Sequence, residues 1–305
     1  MEKGPAISTG GRFVIEAEAV EALAKEAGVT ALRELVPLLV PAAKLMARPP
    51  ISRFSVGAVG LGATGRIFVG VNVEFPGLPL HHSVHAEQFL VANAAAHGES
   101  AILYIAVSSF PCGHCRQFLQ EIRGAREIQI LVTSDADPAF RPLSSLLPHP
   151  FGPHDLLPKG APRLLEPHEN DLGDLDRNGG GGGGSLGQRM REAAEAAARA
   201  SHAPYSGCAA GFSVADGMGR VYAGPYVESA AYNPSLGPVQ AAMIACLADG
   251  GGAEGEVVGK GVVEAVLVEK EAAAVSHEAT ARIFLAAVAP AARLQVYRFH
   301  SSAVE

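Results

Sequence analysis

The sequence predicts an α/β fold of three layers, with helices on both faces of a sheet, built once and then repeated. Three observations carry this: an internal repeat, an alternation of short apolar strands with helical stretches, and glycine turns at matching places in the two copies. The repeat runs at a constant offset of 154 residues, without gaps over its best stretch. Pro50, Ser52 and Gly57 fall on Pro204, Ser206 and Gly211, while Gly65, Arg66, Gly70 and Glu74 fall on Gly219, Arg220, Gly224 and Glu228.

Residues 1–48 form an N-terminal segment whose helix-like apolar spacing from Val20 to Val40 predicts a helical cap. The first copy occupies 49–147. It opens on a Pro-containing turn and continues as an apolar strand from Phe54, a turn at Gly62 and Gly65, and a second strand up to Glu74. An Ala-rich helix holds Phe89 to Ala96, followed by a buried strand at Ala101–Ser109, a helix beginning at Pro111, and a strand at Glu127–Ser134. Residues 148–187 are rich in Pro, His and Asp and include the tract Gly179–Gly184, the composition of a flexible linker. The second copy fills 188–305.

Net charge is −7, from 31 acidic and 24 basic residues, with no Lys/Arg run to track a phosphate backbone; this ranks a polynucleotide partner low. No uninterrupted apolar stretch is long enough to span a bilayer, and Met1–Phe13 lacks the pattern of a secretory signal, so a soluble, cytoplasmic protein is expected. Four cysteines in 305 residues, two of them in a Cys-x-x-Cys pair, suit metal or redox chemistry better than a disulfide framework.

His85-Ala86-Glu87 and Pro111-Cys112-Gly113-His114-Cys115 are the most informative clusters. Pro111 suits the first turn of a helix, which would set Cys112 and Cys115 three apart on one face, where the helix N-terminus favours their thiolates. With His85 they make three ligands and an open fourth position, the requirement of a catalytic zinc; a structural site would be closed by four. His114, between the cysteines, points off their shared face and is expected to be solvated or to lie outside the ligand set. Glu87 is about 200° around a helix from His85, so both reach one point only if His85 stands at the irregular helix start. A carboxylate there can take a proton from a metal-activated water and pass it to a substrate. Arg116 could draw charge from the neighbouring thiolates.

His-x-Glu followed by Pro-Cys-x-x-Cys is the known signature of zinc deaminases. With Ser52-Arg53-Phe54, Gly70 to Glu74, Pro111 to Gln117, Ser201 to Ser206 and Glu228 to Pro234, the sequence resembles the long, homodimeric, zinc-dependent cytidine deaminases, particularly the plant type, over nearly its whole length. The resemblance implies hydrolytic deamination of free cytidine or deoxycytidine with one zinc ion (Zn2+) per chain, and Glu87 as the proton shuttle. It further implies that Asn72 and Glu74 hold the ribose hydroxyls and that Phe54 packs on the pyrimidine. In the second copy Val239, Ala241, Cys208 and Tyr226 stand where the first has His85, Glu87, Phe54 and Asn72. That copy is therefore expected to be a scaffold, and by the resemblance Ala231 and Tyr232 are expected to reach a partner's site in a homodimer. Two other functions share the cluster. A deaminase of single-stranded nucleic acid should add a basic channel with stacking aromatics, yet Trp is absent and aromatics are 6%. A structural zinc protein would have no use for Glu87.

Overall fold

The structure is a computed structural model that describes residues 7–175, 185–250, 258–259 and 261–300; the tract Gly179–Gly184 lies outside them. Two mixed sheets are each flanked by helices on both faces. In the first half the elements run β1 (Val14–Ile15), α1 (Ala17–Glu26), α2 (Leu32–Leu45), β2 (Gly57–Gly62), β3 (Ile67–Val71), α3 (Ala86–Ala96), β4 (Ile102–Val107), α4 (Gly113–Phe118), β5 (Gln129–Val132), β6 (Arg141–Pro142), α5 (Leu143–Leu146) and α6 (Pro153–Leu156). In the second they run β7 (Asp174–Leu175), α7 (Leu186–Arg199), β8 (Ala210–Asp216), β9 (Val221–Pro225), α8 (Pro238–Ala248), β10 (Val262–Lys270), α9 (Glu278–Val288) and β11 (Arg293–His300).

The first sheet has the order β1-β3-β2-β4-β5-β6, the second β7-β11-β10-β8-β9. Within both, the hairpin and the strand after it pair antiparallel, and that strand pairs parallel with the one following it (β4 with β5, β10 with β11); β6 then closes the first sheet antiparallel to β5. The parallel pair needs a crossover, supplied by the stretch holding α4 in one copy and by α9 in the other. The predicted doubly used three-layer fold is present.

The offset of 154 also carries α2 onto α7, residue for residue at both ends. The N-terminal segment expected to end at residue 48 thus contributes a layer of the first copy. Its stripe of Leu35, Val36, Leu39, Val40 and Ala43 is fully covered, each large side chain contributing about 2 kcal/mol by leaving water. On the other face, α3 lies so close to β3 that a Cβ on Gly70 would stand 2.1 Å from the carbonyl oxygen of Ala86; a Cβ on Gly224 would stand 2.2 Å from Ala242 N in α8. Glycine is required at both positions, and in the first copy it fixes where α3 begins.

The expected linker is not featureless. Within it Leu164, Leu165 and Leu172 are buried, Asn170 Nδ2 donates to the carbonyls of Arg199 and Ser201, and the carboxylate of Glu166 pairs with Arg123. Its Pro, His and Asp content masked these few apolar anchors. The two copies meet along α3 and α8, and one apolar core runs through both.

Where the first copy carries Asn72, the second has Tyr226, buried among Ala203 and Ala210 with its ring centroid 4.3 Å from that of His277. Burial pushes the His277 imidazole down to about 4. The folded chain then binds fewer protons than the unfolded one from about pH 6.5 down to about pH 4, so stability falls as pH drops through that window, by on the order of 3 kcal/mol. His277 stands at the N-cap of α9, a place Asn also suits. In His277→Asn the loss of urea midpoint between about pH 7 and about pH 5 should shrink; an unchanged loss would remove His277 from the account of acid sensitivity.

Candidate metal centre and active site

Two helix starts converge on the site. His85 is the N-cap of α3, with extended backbone at φ −84° and ψ 155°. That irregularity is the one the sequence required for His85 and Glu87 to reach a common point. Cys112 is the N-cap of α4 and Cys115 lies in its first turn, so Pro111 precedes the cap instead of occupying the first helical position. The cysteines still converge: Cys112 Sγ is 3.6 Å from Cys115 Sγ, and His85 Nδ1 is 3.4 Å from the first and 3.3 Å from the second. A tetrahedral zinc with bonds of about 2.3 Å to sulfur and 2.0–2.1 Å to nitrogen spaces sulfurs about 3.8 Å apart and sulfur from nitrogen about 3.6 Å. The donor triangle therefore fits zinc to within a few tenths of an ångström. Among the described residues these three form the single group of metal-competent side chains.

The electrostatics agree with that use. Hydrogen bonding from Cys115 and from His85 pulls the Cys112 thiol down to about 3, and the bond to Cys112 raises the His85 imidazole. Its bond to Cys112, together with burial, pushes the Cys115 thiol well up. Two thiols and an imidazole at this spacing cannot all reach their ligand forms comfortably without a cation among them.

Glu87 is buried, and its Oε2 accepts from Cys115 Sγ at 3.2 Å. Burial raises its pKa above the usual carboxylate range. It is not needed as a ligand and lines a cavity of about 310 Å³ together with His85, Cys112, Phe54, Asn72 and Glu74. All the side chains expected to touch substrate thus open onto one space. Phe54 is 57% exposed there, a position that packing alone does not explain.

Asn72 and Glu74 also do something unforeseen. Asn72 Oδ1 accepts from Val56 N and its Nδ2 donates to the Phe54 carbonyl, both at 2.8 Å; Glu74 Oε2 accepts from Ile51 N and Ser52 N, each at 2.8 Å. They brace the turn that presents Phe54. The second copy keeps half of this brace, because Glu228 accepts from Tyr205 N, Ser206 N and the Ser206 hydroxyl. At the tip of the turn Arg53 has φ +56°, where the second copy has Gly207 at φ +63°. A non-glycine residue in the left-handed region costs about 1–2 kcal/mol, a strain borne in the copy that has the cavity.

Residues that match the description of the cytidine and deoxycytidylate deaminase zinc-binding region fall in both halves, at 32–132 and 143–282. Over 302 residues the chain is 51% identical to cytidine deaminase 1 of Arabidopsis thaliana, an alignment spanning 95% of this chain and 98% of that protein. The chain belongs to the cytidine deaminase family. Cytidine deaminase 6 of Arabidopsis thaliana is 48% identical over 88% of this chain and 92% of its own length. The cytidine deaminase of Serratia proteamaculans (strain 568) is 37% identical over 90% and 86%.

Within this deaminase several side chains were not foreseen or stand elsewhere than expected. Phe110, 54% exposed, walls the same cavity, and the Arg116 guanidinium lies 5.6 Å from its ring centroid. Arg116 donates to the carbonyls of Leu146 and Cys112, at 2.6 and 3.4 Å, so its hydrogen bonds go to backbone and not to sulfur. The only advance signal for Phe110 was its place beside Pro111 and Cys112. His114 is not among the three clustered donors, and it is not merely solvated: its Nε2 donates to the Asn233 carbonyl at 3.2 Å, and its ring stands edge-on to His85. The loop holding Ala231 and Tyr232, expected to act on a partner, is in contact with the first copy of its own chain.

Proposed function

We propose that this deaminase hydrolyses the amino group of free cytidine or deoxycytidine, with His85, Cys112 and Cys115 as zinc ligands and Glu87 as the proton carrier. The observation that supports it most directly is a buried carboxylate of raised pKa beside a zinc-sized donor triangle, at the wall of a nucleoside-scale cavity. Zinc on one imidazole and two thiolates would leave a fourth position for water and lower that water's pKa toward about 7.

Glu87 takes a proton from the attacking water and delivers it to N3 of the pyrimidine, so that C4 accepts the oxygen. It then takes the proton of the new C4 hydroxyl and gives it to the amino group; the C4–N bond breaks as C4=O forms, and ammonia leaves uridine or deoxyuridine behind. Phe54 packs on the pyrimidine face. Asn72 and Glu74, beyond bracing the turn, offer the sugar hydroxyls their remaining hydrogen-bonding capacity. No Lys or Arg lines the cavity, and Glu74 does, which favours an uncharged nucleoside over a substrate carrying phosphate. We place the enzyme in the cytoplasm, in pyrimidine salvage, as a homodimer whose partners cover the exposed Phe54 and Phe110 at the cavity; no described helix is long and apolar enough to cross a membrane. Ala231 and Tyr232 are the proposed contributors to the partner's pocket. The first repeating unit is best drawn from α2, not from residue 49.

The test is absorbance loss on free cytidine, with and without a chelator, beside a cytosine-containing oligonucleotide. Chelator-sensitive turnover of the free nucleoside is expected. Activity confined to the oligonucleotide would reverse the assignment.

A further inference from the structure

Glu121 has no part in the chemistry above, although it follows Cys115 by six residues in the same helical stretch. Its side chain is wholly buried, and every donor to it comes from the second copy. Oε1 accepts from Ala230 N at 2.8 Å, while Oε2 accepts from the Tyr205 hydroxyl at 2.6 Å and from His202 Nε2 at 3.2 Å. A carboxylate taken out of water is costly unless its oxygens are filled, and these are filled in a way that fixes one geometry between the copies.

Ala230 opens a tight loop. Ser229 N donates to Ser235 Oγ at 3.0 Å across its base, and Tyr232 turns it at φ +60°. The loop then delivers two backbone carbonyls to the metal centre's surroundings. The Asn233 carbonyl accepts from His114, which lies between the two cysteines with its ring 5.0 Å from that of His85. The Pro234 carbonyl accepts from Gln88 Nε2 at 2.9 Å, and Gln88 Oε1 in turn accepts from the backbone N–H of His85 at 3.3 Å. Both ligand-bearing helix starts are thus held from outside by one loop, and Glu121 ties that loop to the helix that bears the cysteines.

We propose that Glu121 is a positioning residue for the metal centre, acting in cis through the loop 229–235 of the second copy on His114 and Gln88. The inference rests on the zinc assignment above and gives the second copy a task within its own chain.

The test follows zinc release from the purified, zinc-loaded full chain into excess chelator, using a zinc indicator dye. Glu121→Gln should release zinc about tenfold faster, the low end for outer partners of metal ligands because the effect passes through a loop. Tyr205→Phe should act in the same direction, more weakly. In a His114→Ala background the Glu121→Gln effect should shrink on a logarithmic scale, because one of the two contacts through which the loop acts, the other being Gln88, is already gone; a purely structural role would leave the two additive. Unchanged release from a folded Glu121→Gln chain, or additivity with His114→Ala, would overturn the proposal. If Glu121→Gln does not fold, Tyr205→Phe with and without His114→Ala is read by the same criteria. A wild-type chain that binds no zinc would overturn the zinc assignment instead.

Discussion

Glu87→Ala is expected to keep its zinc and lose turnover of cytidine by about 10⁴-fold or more. A positioned acid or base contributes typically 10²–10⁴-fold to one proton transfer, and here one carboxylate serves the water, the ring nitrogen and the leaving amine in succession. The surroundings of Glu87 suit that cycle. Burial raises its pKa above the usual carboxylate range, which makes it a readier proton carrier than an exposed carboxylate. It is not among the three proposed ligands, so bound zinc should stay close to one ion per chain, measured by metal analysis on the same preparation. Glu87→Gln, which preserves volume, should be nearly as inactive, separating the proton from the packing. Turnover near wild type in either variant, with zinc bound, would remove Glu87 from the mechanism.

Cys115→Ser should lose the metal itself. Loss of an outer partner costs about 10–100-fold in metal affinity, and loss of a direct thiolate should exceed that, because a serine hydroxyl stays protonated and is a poor donor to zinc. Cys115 is the more sensitive of the two cysteines: it is fully buried, whereas Cys112 is exposed. The substitution should therefore abolish activity and strip zinc on passage through a chelating column. It should also lower the denaturation midpoint of the zinc-loaded protein toward that of the stripped wild type, since binding to the folded state alone stabilises it. Retention of one zinc per chain would mean that Cys115 is not a ligand.

What could be read in advance was chemistry local in sequence. Two cysteines three residues apart, a carboxylate two residues from a histidine, and glycines repeated at one offset announced the candidate metal centre and the doubled sheet. The role of α2 was harder to see: Pro37 and Pro41 lie inside that helix, where its counterpart α7 has Arg191 and Glu195 forming a 2.7 Å ion pair, and the likeness is hidden at the level of residue type. The grip of Gln88 on Pro234 and of Glu121 on Ala230 joins residues more than 100 apart, and no local pattern encodes such a partnership. The brace formed by Asn72 and Glu74 was invisible for another reason, since the same atoms that suit a sugar hydroxyl also suit a backbone amide.

Tyr226 bears on any attempt to give the molecule a second centre. Returning a histidine at Val239, a glutamate at Ala241 and a pair of cysteines near α9 would set ligands beside a packed interior, because Tyr226, where the first copy has Asn72, is buried against His277. Removing the ring would leave a void in a packed interior, at a cost of about 3–5 kcal/mol for an aromatic side chain. The second copy is thus held to its present shape by packing as well as by the residues that stand at those positions, and a redesign would have to open room beside Tyr226 before arming it.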